Sequence, residues 1–218
     1  THTHTHTHPP THTHTHTGHF AMSIGSGTTV APLTRLAGAP GVDFGRVHVF
    51  FGNERTEGSA AFKCFQGAQD FADACEIPES QVYKVPGGDS AAAADEYEKL
   101  IRFLAKGDVL DTCTRTGLPS LDLVLLGSGA DGHTASLYPG SPQVLISPSK
   151  RLVVPADGKG GVTFTLDCIQ SAKNVIISAG KKDQAQMVAY ALGSTSSDLP
   201  AGMIHAHPGT SVEGLLTN

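Results

Sequence analysis

The chain has 218 residues and a formal net charge of −5, with charged residues at 16%, aromatic residues at 6% and no Trp. That length suits one domain at ~100–200 residues per domain, and an acidic balance without any Lys/Arg block excludes the basic footprint of a nucleic-acid-binding surface. No apolar run approaches the ~20 residues of a membrane-spanning helix, so no membrane partner is expected.

Residues 1–19 are mostly alternating Thr and His. The segment has no apolar face in any periodicity and cannot offset its ordering entropy, so a disordered leader is expected, followed by one domain over 20–218. It lacks an apolar h-region and Arg, unlike a signal or transit peptide. An in-frame CA-dinucleotide repeat would encode Thr-His, so a gene model starting inside such a repeat would carry this leader. Its histidines could chelate metal only incidentally, without a folded second shell.

Beyond Phe20, short apolar runs ending in Gly predict strands at Ala21–Gly27, Val47–Gly52, Leu121–Gly127 and Asn174–Gly180. Unbroken apolar runs suit strands covered on both faces of a parallel sheet. Helices are predicted between them. Ser59–Cys75 puts Phe62, Phe65, Ala68, Phe71, Ala72 and Cys75 on one face. A second helix has Asp89 or Ser90 as N-cap, Tyr97, Leu100, Ile101 and Leu104 inward, and a stop at Gly107. A third covers Asp183–Leu192. Leu152–Pro155 and Met203–His205 read as weaker, peripheral strands. The alternation predicts a three-layer, Rossmann-like α/β fold with a mostly parallel sheet. Cys64, Cys75, Cys113 and Cys168 form no CxxC pair and read as reduced, small apolar residues.

The Gly- and polar-rich sequences GSGTT (25–29), GNER (52–55), GSGADGH (127–133) and GKK (180–182) all follow predicted strand ends. Open α/β sheets bind ligands outside the carboxyl ends of their strands, so four such loops at one edge would build one site. Gly25–Thr29 could offer N–H groups and hydroxyls to an anion, although it is neither a Walker A sequence nor a GxGxxG. Arg55 could clamp a phosphate bidentately, or lie in a surface Glu–Arg loop. Lys181 and Lys182 could add charge at the same edge, or simply start a solvated helix. Asp131 stands two residues before His133 and could orient an imidazole for general-base work; the alternative is a helix start with Asp131 as cap. His48 reads as a structural strand residue. A third metal ligand for Asp131 and His133 is not evident.

LDLVLLGSGADGHTASLYPGS (121–141) resembles the signature loop of the 6-phosphogluconolactonase family, G-x-G-x-DGHTAS-L-F-P-G. VHVFFGNER (47–55) resembles that family's strand and GDER motif, and AMSIGSGTTVAPLTRL (21–36) its GGSTP phosphate loop and following helix. The related glucosamine-6-phosphate deaminases continue after DGH with I-A-F-N-E-P-G-S; Thr134-Ala135-Ser136-Leu137 sides with the lactonases. The resemblance runs through about residues 20–217. It implies the fold shared with sugar-phosphate isomerases and hydrolysis of 6-phospho-D-glucono-1,5-lactone, without a metal or organic cofactor. The implied catalytic residues are His133, Asp131 and Asn53, with backbone N–H groups of the Gly-rich turn at the oxyanion. The implied substrate-binding residues are Gly27, Thr28, Thr29, Arg55, Gly129 and Lys181 or Lys182.

Several positions depart from the family. The Asp of GDER is Asn53, so Asn53→Asp is expected to raise turnover by restoring a charge near His133. The proline after the phosphate loop is Val30. The family Arg before a later strand corresponds to Gly161, with Lys159 nearby, and the family Lys aligns with Lys181, Lys182 or Gln184. The strand and helix that open the family's domain are not found ahead of the phosphate loop, so a divergent or N-terminally truncated member is expected. A catalytically impaired sugar-phosphate-binding paralogue or fragment is the alternative. A deaminase is disfavoured, because Leu137-Tyr138 stand where it needs a Glu. The compartment defaults to the cytoplasm, unless an organellar address precedes residue 1. The sequence specifies no oligomeric state.

Overall fold

The computed structural model describes residues 18–147, 149–156, 158, 160–179, 184, 198–204 and 211–216, with Thr28 and the last segment described as backbone alone. In chain order the strands are β1 (Phe20–Ile24), β2 (Val47–Phe51), β3 (Asn53–Arg55), β4 (Asp111–Thr112), β5 (Pro119–Ser120), β6 (Leu123–Gly127), β7 (Val153–Pro155), β8 (Gly161–Phe164), β9 (Asn174–Ala179) and β10 (Ser211–Leu216). The helices are α1 (Lys63–Ala74), α2 (Ser90–Lys106), α3 (Pro142–Leu145) and α4 (Leu166–Gln170).

The central sheet has the order β10-β9-β6-β1-β2, and every pairing in it is parallel. Branched and aromatic side chains give its strands their buried runs: Val49, Phe50 and Phe51 on β2, and Val124, Leu125 and Leu126 on β6. A smaller antiparallel sheet, β3-β8-β7, continues the chain beyond β2. The fold is mixed α/β with a parallel central sheet, as expected. β3, β4, β5, β8 and β10 are additions to the predicted strands; β3 is three residues long, and its partner lies about a hundred residues away, so no local pattern announces it.

The predicted strands at 21–27, 47–52, 121–127 and 174–180 form, each ending within a few residues of its expected bound. The Ser59–Cys75 helix begins later, at Lys63, because Phe62 adopts a left-handed φ of 59° that a continuous helix cannot contain. Asp89 caps α2 as predicted, accepting from the N–H groups of Ala91 and Ala92, and Gly107 ends it. After the GSGTT loop the expected helix is a 3-10 segment, Ala31–Leu36, with Pro32 near its start. The predicted strand at Met203–His205 is also corrected: Pro200–Met203 is a 3-10 turn led by proline, and His205 lies outside the described residues. The predicted Asp183–Leu192 helix falls outside them except for Gln184.

Of the expected leader, residues 1–17 lie outside the described residues. Gly18 and His19 rest against β2: Arg46 donates to the Gly18 carbonyl at 3.1 Å, and His19 Nδ1 lies 3.0 Å from Nε2 of the buried His48. All four cysteines are free thiols.

Two buried carboxylates fasten the sheet. At the amino edge, Asp122 accepts from the Ala21 N–H (2.8 Å) and pairs with Lys173 (2.7 Å), joining the starts of β1, β6 and β9. Glu98 on α2 is 7% exposed; it pairs with Arg102 (2.9 Å) and Arg151 (2.8 Å) and accepts from the N–H groups of Leu152 and Val153. Burial raises its carboxyl, but the Arg151 guanidinium, the backbone donors and Arg102 outweigh that and hold it below the ordinary carboxylate value.

Truncating Glu98 strands two buried N–H groups, so Glu98→Ala is expected to lose about 3 kcal/mol in urea unfolding. The depressed acidity sets the pH window. The carboxylate's contribution is fully present above the unfolded carboxyl value of ~4.3 and is lost as pH falls through the lower folded value. The stability gap between the native chain and Glu98→Gln should therefore be wide at pH 7 and close below about pH 4 in the same unfolding series.

Candidate active site

The winding of the central sheet reverses beside β1: the chain steps from β1 to β2 on one side, then returns to place β6 on the other. Loops leaving the carboxyl ends of β1 and β6 diverge there and leave a crevice. It forms a cavity of about 900 Å³ lined by the 25–29 loop, β3, the turn after β6, Ser178 at the end of β9, and Gln184. Loops from three of the four predicted strand ends thus meet in one cavity, and Ser178 and Gln184 bring in the fourth region.

Gly27 supplies the left-handed φ of 76° that starts a 3-10 turn over Gly27–Thr29, and the Thr29 hydroxyl closes back on the Ser26 carbonyl at 3.1 Å. Thr28 lies in that turn. Expected as a loop, Asn53-Glu54-Arg55 is instead strand β3, and its two-residue period sorts the three side chains. All three residues line the cavity, but only Glu54 is buried; Asn53 Nδ2 donates to the Ser136 hydroxyl at 3.3 Å. Glu54 is 2% exposed; its carboxylate accepts from the N–H groups of Arg55 (2.9 Å), Cys64 (3.2 Å) and Phe65 (2.8 Å). It caps α1 in place of an ordinary N-cap side chain, of which there is none. Burial and then the Glu54 charge push the Cys64 thiol up to about 12, so it stays protonated.

The turn after β6 is compact. Thr134 donates its hydroxyl to the Gly127 carbonyl (2.9 Å), the Gly129 N–H bonds the His133 carbonyl (2.9 Å), and the Gly132 N–H bonds the Gly129 carbonyl (3.0 Å). Asp131 Oδ1 lies 2.6 Å from His133 Nδ1 and accepts the His133 N–H at 3.2 Å. Burial raises the Asp131 carboxyl, but the His133 ring and backbone donors outweigh it and set it below the ordinary carboxylate value. The contact fixes which ring nitrogen faces the carboxylate. His133 Nε2 has no hydrogen bond among the described residues, and His133 lines the cavity.

Gly129, expected to bind substrate, lies beneath the imidazole: a Cβ there would overlap the His133 ring and come within 2.5 Å of Asp131. Its absent side chain makes room for the pair. Two other expectations change. The N–H groups of Gly129, Gly132 and His133 are spent within the turn, so they do not point at an oxyanion. Gly161 has no space for the side chain of an Arg, because its Cβ would strike the Glu54 carbonyl across the β3–β8 pair. Lys159, Lys181 and Lys182 lie outside the described residues. Ser136 and Tyr138 also line the cavity, and sequence reasoning missed both as site residues. Their nearness to DGH in a tight turn was the available signal. Among the described residues no three His, Cys, Asp or Glu side chains are grouped to hold a metal ion, and no helix is long and apolar enough to cross a membrane.

The site is that of an α/β domain with a ligand-sized crevice at its topological switch point and an Asp-oriented histidine on the wall. The sequence profile of the glucosamine-6-phosphate isomerases/6-phosphogluconolactonase family matches residues 10–212, and the chain belongs to that family. It is 33% identical over 202 residues to 6-phosphogluconolactonase 3, chloroplastic, of Arabidopsis thaliana, covering 87% of this chain and 61% of that one. It is 31% identical over 204 residues to probable 6-phosphogluconolactonase 2 of the same plant, covering 87% and 78%. The fold superposes on the 6-phosphogluconolactonase of Leishmania guyanensis with a TM-score of 0.70 at 23% identity, covering 91% of this chain and 84% of that one. The chain spans about three fifths of the length of the chloroplastic relatives it matches.

Because Gly161 abuts backbone rather than a flexible side chain, Gly161→Arg should force β3 and β8 apart. The expected cost is about 1–3 kcal/mol, read as a lower urea midpoint with an unchanged slope. A variant as stable as the native chain would contradict the packing.

Proposed function

We propose that the chain hydrolyses 6-phospho-D-glucono-1,5-lactone to 6-phosphogluconate in the oxidative pentose phosphate pathway. The observation that carries the proposal is the 2.6 Å Asp131–His133 contact on the wall of a cavity that also holds Arg55 and the 25–29 loop, in a chain of this family.

In the proposed mechanism the phosphate lies on Gly27, Thr28, Thr29 and Arg55, with Lys181 or Lys182 as a further cation. Asp131 holds Nδ1–H, so Nε2 is the basic nitrogen. Nε2 takes a proton from water as the water oxygen bonds to the lactone carbonyl carbon. The tetrahedral intermediate then collapses, the bond to the ring oxygen breaks, and the imidazolium returns its proton to that oxygen. No metal or organic cofactor enters these steps. Asp131 stabilises the imidazolium between the two transfers. With the Gly129, Gly132 and His133 N–H groups engaged within the turn, the second amide hydrogen of Asn53 is the proposed donor for the carbonyl oxygen as it gains charge.

The cytoplasm is the default compartment in this proposal; the chloroplast named for the Arabidopsis and rice relatives is the other, and imaging the tagged product of the full gene distinguishes them.

Lactone hydrolysis by purified protein, corrected for the substrate's spontaneous hydrolysis, should fall to background in His133→Ala. Equal rates in the two proteins would reduce the chain to a sugar-phosphate-binding paralogue. Asn53→Ala should lower kcat by ~10–100-fold. The sequence alone suggested that Asn53→Asp would raise turnover. With the amide as donor the expectation reverses, because an ionised carboxylate has no hydrogen to give; parallel pH–rate profiles of the two proteins decide the sign.

A further inference from the structure

The imidazole of His133 is restrained at one nitrogen by Asp131 and from below by the Gly129 backbone, which leaves the ring free to swing about its remaining open side. Tyr138 occupies that side. Its ring centroid lies 4.6 Å from that of His133, with the two planes inclined by 31°, and both residues line the cavity.

The backbone makes this contact obligatory. Thr134 and Leu137 face each other in a tight reversed turn, with the Leu137 N–H on the Thr134 carbonyl at 2.9 Å and the Thr134 N–H on the Leu137 carbonyl at 3.3 Å. Thr134 and Leu137 are fully buried, and Ala135 takes a left-handed φ of 51° to close the turn. Residues 133 and 138 are the next pair outward from that bridge, so their side chains emerge beside one another whatever the loops around them do. An aromatic face against an imidazole also prefers the protonated ring to the neutral one, since the face of the π system carries negative charge. The contact is therefore stronger in the imidazolium that forms during proton transfer than in the resting base, which is the kind of interaction that accelerates a step rather than tightening ground-state binding.

We infer that Tyr138 is a positioning residue for the proposed reaction: its ring clamps the His133 imidazole with Nε2 toward the lactone and supports the transient imidazolium. The kinetic part of this inference rests on the hydrolase reading given above; the clamp itself does not.

Tyr138→Leu removes the aromatic face, and Tyr138→Met serves as a second ring-less variant should the first fail to fold. Either is expected to lower kcat about three- to tenfold, with KM changed less than twofold, while Tyr138→Phe keeps native kcat. In a proton–carbon NMR spectrum, the His133 ring C–H resonance, assigned by its loss in His133→Gln, should shift in the ring-less variants and stay in place in Tyr138→Phe. Native kcat in the ring-less variants overturns the inference, as does a Tyr138→Phe variant as slow as they are. If the native chain shows no hydrolysis above background, the hydrolase reading fails alone. The NMR arm still decides the clamp, because an unmoved His133 resonance in the ring-less variants overturns it.

Discussion

Parallel pairing on both edges of β6 is the constraint from which the rest of this molecule follows. β6 is bonded to β1 on one side and to β9 on the other, and a strand so placed hands its chain over at the same edge as its neighbours. Ile24, Phe51, Gly127 and Ala179 therefore all end at one edge of the sheet or beside it. At the opposite edge Asp122 ties the strand starts together through the Ala21 N–H and the Lys173 ammonium, which resists the sliding that would carry the loops out of register. The cavity is the gap left where the winding reverses.

Within that frame the turn after β6 trades backbone donors for side-chain precision. The Gly129, Gly132 and His133 N–H groups bond within it, and Gly129 makes room for the imidazole by having no Cβ. The turn carries the Asp131–His133 pair and, five residues on, the ring of Tyr138. The consequence for chemistry is a division of labour. In the proposed reaction this loop supplies the base and its orientation, and Asn53, on a different sheet, is the donor assigned to the developing oxygen charge.

β3 shows how a three-residue strand serves two ends at once. Its alternation turns Glu54 inward, where the carboxylate replaces the missing N-cap of α1 and fixes where that helix starts. The same alternation leaves Asn53 and Arg55 less buried than Glu54, at the cavity. The pairing of β3 with β8 is so close that Gly161 admits no side chain, which accounts for a glycine there in terms of backbone packing. The buried carboxylate thus anchors the strand that carries Asn53 and Arg55.

How much of this was legible beforehand follows from the range of the forces involved. Apolar runs ending in glycine located four of the five strands of the central sheet, β1, β2, β6 and β9, but not β10. Asp89 and Gly107 marked the ends of α2, because capping is local. The DGH sequence placed Asp131 and His133 in one turn, and a two-residue spacing suffices for their contact. Chain-local chemistry determined that much. Contacts between distant segments decided the rest. Asn53 became a strand residue through β8, Glu54 a helix cap through α1, and Phe62 a helix boundary through its left-handed backbone. Gly161 was closed to a side chain by the Glu54 carbonyl. Those outcomes depend on which surfaces meet once the sheet has formed, and a linear pattern of residue types contains no term for that.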